Sequence, residues 1–110
     1  MRAYAWLITK DHLFTPDGVL DRDEAGTSGP RNAPDDLLAD LDAGNGREFQ
    51  MFDDDGELYY TGRILVRGQD ETAWTGAGEE DFGPLWDFGR PNAGATEIKY
   101  RNADGAWQPL

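Results

Sequence analysis

Three aspartates, a glycine and a glutamate follow one another at Asp53-Asp54-Asp55-Gly56-Glu57. So dense a set of oxygen donors raises hard-cation binding first, because calcium collects about six to eight oxygens. The spacing does not suit it. A calcium loop of the EF-hand kind sets its oxygens at alternate positions, with glycine sixth and a bidentate glutamate twelfth, whereas here the glycine follows three consecutive carboxylates. Asp21-Arg22-Asp23-Glu24-Ala25-Gly26 comes nearer, with Asp first and third and Gly sixth, but its fifth position is Ala25 and its twelfth is Asn32. Neither segment is assigned a metal, and no cofactor is expected.

Acid-base chemistry near neutral pH has one natural carrier, His12, and the chain holds no other histidine. If the segment is a strand, the neighbouring Asp11 points to the other face and does not assist it. Paired carboxylates hydrolyse glycosides only at a defined separation across a cleft, which spacing along a chain does not supply. No glycine-rich phosphate loop, nucleophile elbow or zinc-binding helix motif is present. The reading is therefore non-enzymatic. An alternative keeps a small-ligand or carbohydrate module, in which exposed aromatics such as Trp74 stack on a sugar beside carboxylates. Against it, most of Trp6, Phe49, Tyr60, Trp86 and Trp107 are expected inside, since aliphatic residues are few.

What remains is how the acids are distributed. Asp and Glu number 22 against ten Lys and Arg, a formal charge of -12. Three runs contain no basic residue: Asp35, Asp36, Asp40 and Asp42; Asp53, Asp54 and Asp55 with Glu57; and Glu79, Glu80 and Asp81. Such a surface repels phosphate backbones and anionic membranes, so direct binding to nucleic acid or membrane is not expected, and it steers basic partners toward itself. A protein that presents carboxylates where a nucleic acid presents phosphates can occupy a nucleic-acid-binding groove as a decoy. These ten named aspartates and glutamates, Glu57 apart, are the candidate partner-binding residues. The plainer alternative is that acidity only confers solubility.

The elements that must position these residues are legible in part. Residues 3–9 alternate as a strand wetted on neither face completely and expected near the sheet centre. Residues 15–33, rich in Gly, Pro and charge, read as a long loop. Residues 35–43 read as a short helix: Pro34 opens it, Asp35 and Asp36 lie in the first turn, Gly44 stops it, and Leu37, Leu38 and Leu41 share one arc opposite the aspartates. Residues 47–52 and 57–66 form a hairpin closed by the Asp-Gly step, with Phe49 and Met51 on one face, Leu58, Tyr60, Ile64 and Val66 on one face of the partner, and Gly62 making space or marking a bulge. Residues 96–101 and 106–110 repeat that grammar around Asn102-Ala103-Asp104-Gly105. Between the hairpins, Pro84-Leu85-Trp86-Asp87 suggests one helical turn and Pro91-Asn92-Ala93-Gly94 a tight turn.

These readings combine into a single α+β domain over residues 1–110: an antiparallel sheet of four or five strands with one short helix packed on a face. A chain of this length buries roughly two-thirds of the surface it exposes when unfolded. No cysteine is present, which excludes disulfides and thiolate chemistry, and no apolar run approaches the roughly 20 residues of a membrane span. A cytoplasmic protein is the simplest expectation.

The stretch Phe52-Asp53-Asp54-Asp55-Gly56-Glu57-Leu58-Tyr59-Tyr60-Thr61-Gly62-Arg63, with Pro84-Leu85-Trp86-Asp87-Phe88-Gly89 and Pro91-Asn92-Ala93-Gly94-Ala95-Thr96-Glu97-Ile98, resembles a group of small acidic proteins of bacteria, especially actinobacteria, and their phages. That resemblance brings no catalytic or binding residue with it. Small acidic products of phages and mobile elements include anti-CRISPR and anti-restriction proteins that mimic DNA. By likeness of size and charge, the implied function is inhibition of a nucleic-acid-binding complex through a basic protein surface, with the oligomeric state left open.

Overall fold

The computed structural model describes residues 3–13, 24–66, 82–102 and 104–109. Along the chain run β1 (Tyr4–Asp11), β2 (Ser28–Gly29), α1 (Asp35–Asp42), β3 (Arg47–Phe52), β4 (Leu58–Val66), a π-helical turn (Leu85–Gly89) that continues into α2 (Arg90–Ala93), β5 (Glu97–Arg101) and β6 (Trp107–Pro109). The strands form one six-stranded sheet in the order β2-β1-β4-β3-β5-β6, antiparallel throughout. The α+β class holds, with six strands where four or five were expected. The extra strand is β2, two residues within the stretch read as loop. It forms because Gly29 lies against the Trp6 indole, where a Cβ would collide with the ring, and so the chain can close on β1 in register Trp6 to Gly29 and Leu7 to Ser28. Pairing with β2 leaves β1 second in the sheet, and β4 and β3 hold the centre.

Helices cover both faces rather than one. On one face Trp6, Ile8, Phe49, Met51, Tyr60, Ile64, Ile98 and Tyr100 meet Leu85 and Phe88 from the π-helical turn. Ring contacts bind this layer: Phe88 lies 4.8 Å from Tyr60 and 5.4 Å from Trp6, and Phe49 sits edge-on to Tyr100 at 6.0 Å. On the other face α1 docks Leu37 and Leu41, with Leu38 at the edge, on Ala5, Leu7 and Leu65. Alternation along the strands delivers both clusters, because Ala5 and Leu7 point opposite to Trp6 and Ile8.

The second helical layer departs from the sequence reading of two separate turns. Pro91 has no N–H to return to the preceding turn, and just upstream the helix widens so that Arg90 N–H bonds to the Leu85 carbonyl. Helical backbone is thereby continuous to Ala93, where Gly94 at φ +75° ends it by donating to the Arg90 carbonyl at 3.0 Å. This turn carries Phe88 inward and Trp86 outward. Trp86, expected in the core, is 52% exposed and stacks on Phe82, and Trp107 is half-buried.

Two bulges tune the centre. Ile8 pairs with Gly62 and Lys10 with Thr61, which leaves Thr9 as the extra residue on β1. At Gly62 a Cβ would meet the Leu7 carbonyl and the Phe49 ring, so the glycine both makes space and sits beside a bulge. In β4, Met51 pairs with Tyr60 but Phe52 with Leu58, so Tyr59 is extra and its hydroxyl reaches back to Asp53. Among the described residues no helix is long and apolar enough to cross a membrane.

Candidate partner-binding surface

The helix α1 exists because its sequence separates leucine from aspartate at helical spacing. Leu37 and Leu41 are buried, while Asp35, Asp36, Asp40 and Asp42 are exposed. The last turn contains no basic residue. Its terminal carbonyls are held instead from the sheet side: Arg63 donates from Nη2 to the Leu41 carbonyl at 2.7 Å and from Nε to the Asn45 carbonyl at 3.1 Å. The guanidinium that complements the helix terminus thus belongs to β4, and α1 itself contributes only acids.

Asp35 and Asp36 occupy the first turn, where partial positive charge at the helix N-terminus favours them. Asp40 and Asp42 occupy the last turn, where the dipole disfavours carboxylates by about 0.3–1 kcal/mol each at low salt. Their position is therefore not explained by helix stability. A helix of eight residues is about 12 Å long at 1.5 Å per residue. Four carboxylates along it give one charge per about 3 Å, close to the roughly 3.4 Å per charge along one strand of duplex DNA.

The hairpin tip is built differently. Asp53 Oδ1 accepts the backbone N–H groups of Asp55 at 2.9 Å and Glu57 at 2.8 Å, and Oδ2 accepts the Tyr59 hydroxyl at 3.1 Å. The Glu57 N–H above all, then the Tyr59 hydroxyl and the Asp55 and Gly56 N–H groups, hold the Asp53 carboxyl below the usual range, against a smaller opposing desolvation. Desolvation first, then the adjacent Asp53, raise the Tyr59 hydroxyl. Gly56 closes the turn at φ +82°. Asp54 Oδ1 accepts the Thr96 hydroxyl at 2.6 Å, tying the tip to the start of β5. Asp53 is half-buried and bound into the turn, whereas Asp54, Asp55 and Glu57 are exposed, Asp54 with its carboxylate on Thr96.

Helix acids and tip acids are not brought together. The segment after α1 enters β3 at Arg47, and the tip lies beyond Phe52, so the six residues of β3, roughly 20 Å at 3.3 Å each, separate them. Glu79, Glu80 and Asp81 lie outside the described residues, as do Trp74 and residues 21–23 of the loop weighed above as a calcium site. Among the described residues no three His, Asp or Glu side chains come together as metal ligands. On the part of the sheet that α1 leaves uncovered, Arg101 pairs with Glu48 at 3.2 Å and Lys99 lies 4.7 Å from the Phe52 ring centre.

His12 follows β1, its Nε2 2.8 Å from Thr61 Oγ1. Desolvation chiefly, then Lys10, lower its pKa from 6.5, and Asp11 opposes them. Asp11 is buried and accepts the backbone N–H groups of Leu13 and Glu24 at 2.9 and 3.1 Å, so it ties the chain after β1 to the approach to β2.

Sequence reasoning overlooked Asp87. It stands between Trp86 and Phe88, is exposed, and its Oδ2 accepts both the Tyr4 hydroxyl at 2.7 Å and the Trp6 indole N–H at 3.1 Å. The alternation of aromatic and acid at 86–88 was the only signal in the sequence. Against family models, curated proteins and solved structures, the chain finds no match.

Proposed function

We propose that this chain is a non-enzymatic, protein-binding module that docks on a basic surface, and that the surface belongs to a nucleic-acid-binding complex which the module inhibits by standing in for phosphates. An anti-CRISPR or anti-restriction factor of a phage or mobile element, acting in the cytoplasm, has this character. The supporting observation is the outer face of α1, where Asp35, Asp36, Asp40 and Asp42 are exposed without an intervening cation and two of them stand where helix stability alone disfavours acids. Asp54 and Asp55 at the hairpin tip, with Glu57 beside them, add a second, separate contact.

The test is capture of partners from a bacterial lysate on the tagged protein, washed at low and high salt and challenged with duplex DNA. Recovery of a nucleic-acid-binding protein that salt and DNA displace, and that an Asp36→Asn, Asp40→Asn variant no longer retains, supports the proposal. Retention unchanged by salt or by these substitutions sinks it.

A second reading rests on Trp86. An indole half-exposed and stacked on Phe82 at 5.3 Å, beside Asp87, offers a platform on which a sugar ring could lie. Quenching or shift of its emission by oligosaccharides, absent in Trp86→Ala, would favour a carbohydrate module over the acidic decoy.

A further inference from the structure

A shallow groove of about 670 Å³ runs between the chain around β2 and the π-helical turn. Its floor is apolar, formed by Trp6 and Phe88, both nearly buried, with ring centroids 5.4 Å apart. Asp87 lines one side and Arg31 also borders it, with Ser28 and Asn32 supplying further polar groups. The Asp87 carboxylate is fixed in direction because the Tyr4 hydroxyl and the Trp6 indole both donate to Oδ2. Arg31 is exposed. Neither residue forms an ion pair with a described residue, and although both line the groove they do not pair with each other.

A fixed anion and an exposed cation that line one apolar floor without pairing match a ligand that carries both charges and an apolar part. A purely cationic ligand meets Arg31, and a purely anionic one meets Asp87 and a molecule of charge -12. The volume falls within the roughly 300–1,000 Å³ of small-molecule sites. We propose that this groove binds a small zwitterion, a free amino acid or short peptide, with its ammonium on Asp87, its carboxylate on Arg31 and its apolar side chain against Trp6 and Phe88. This site is distinct from the acidic face of α1 and does not depend on the reading given to that face.

The Trp6 indole N–H, bonded to Asp87, is a built-in reporter in proton–nitrogen NMR spectra. L-leucine, L-phenylalanine and glycyl-L-leucine are titrated to millimolar concentration, with L-leucinamide, which lacks the carboxylate, and N-acetyl-L-leucine, which lacks the ammonium, in parallel. At least one zwitterion should shift the Trp6 resonance saturably, and each singly charged analogue should bind about tenfold or more weakly, the loss expected for one hydrogen-bonded charge. Arg31→Gln, an exposed change outside the core, should abolish the preference for leucine over leucinamide while leaving the rest of the spectrum in place. Absence of a saturable shift with all three zwitterions, or equal binding of leucine and leucinamide, overturns the proposal.

Discussion

Replacing Asp40 and Asp42 together by asparagine should make the protein more stable and a poorer partner. Both side chains are exposed in the last turn of α1, which holds no basic residue. A helix C-terminus carries about half a negative charge, and an exposed carboxylate there costs at least about 0.3 kcal/mol at low salt. Asp36 and Asp40 stand four apart, so neutralising Asp40 also relieves a like-charge pair of about 0.2–0.5 kcal/mol. Asparagine and aspartate have nearly equal helix propensity, so the exchange isolates charge. Arg63, hydrogen-bonded to the Leu41 and Asn45 carbonyls, already offsets part of the terminal dipole and keeps the gain at the lower end. The net gain is about 0.5–1 kcal/mol, a Tm rise of roughly 2–4 °C for a domain of this size. Thermal unfolding followed by circular dichroism at low salt measures it, and most of the gain should disappear in molar salt, where the screening length is about 3 Å. Asp35→Asn is the internal control: in the first turn the same exchange removes a favourable dipole contact and should lower Tm. A double variant that melts below the parent, or a control that shifts in the same direction, would refute the reasoning that these acids sit against the stability of their helix.

Further outcomes follow from the sheet and its turns. Gly62→Ala places a Cβ against the Leu7 carbonyl and the Phe49 ring; because a backbone carbonyl in a central pairing cannot step aside, stability should fall by about 1–3 kcal/mol or more, read by urea denaturation. Asp53 is favoured in its ionised form by the Glu57 N–H first and then by Tyr59 and Asp55. Its contribution is therefore present above about the ordinary carboxylate value of 3.8 and is lost as pH falls through its lowered folded value; Asp53→Asn should flatten this part of the acid side of the Tm-against-pH curve. The fold favours neutral His12, so its stabilisation is full above 6.5 and declines as pH falls through the lowered folded pKa. Titration of its ring protons should give a midpoint below 6.5, and a midpoint above it would contradict the burial that lowers it.

Local rules carried much of the architecture. Alternation of apolar and polar residues in 47–66 and an Asp-Gly step specify a hairpin whatever lies around it, because side chains in a strand alternate between faces and glycine takes the positive φ that the turn requires. The helix was equally legible, since leucines and aspartates at helical spacing leave one face to dock and one to hydrate. So were the second hairpin and the dominance of negative charge. Other features depended on contacts between distant parts of the chain. The strand β2 closes on β1 where Gly29 leaves room for the Trp6 indole, a meeting of residues far apart in sequence. Outward Trp86 and inward Phe88 follow from a widened helical turn upstream of Pro91, which no spacing rule announces. Within one run of carboxylates the roles divide: half-buried Asp53 binds its own turn, exposed Asp54 ties to Thr96 ahead of β5, and Asp55 and Glu57 stay in water. Likewise Asp87 acquired its place through Tyr4 and Trp6, more than 80 positions away. Sequence by itself determined charge, periodicity and turns, because these depend on neighbours along the chain; which carboxylates tie remote segments together, as Asp54 and Asp87 do, was decided by packing, because such partners meet only when distant parts of the chain come together.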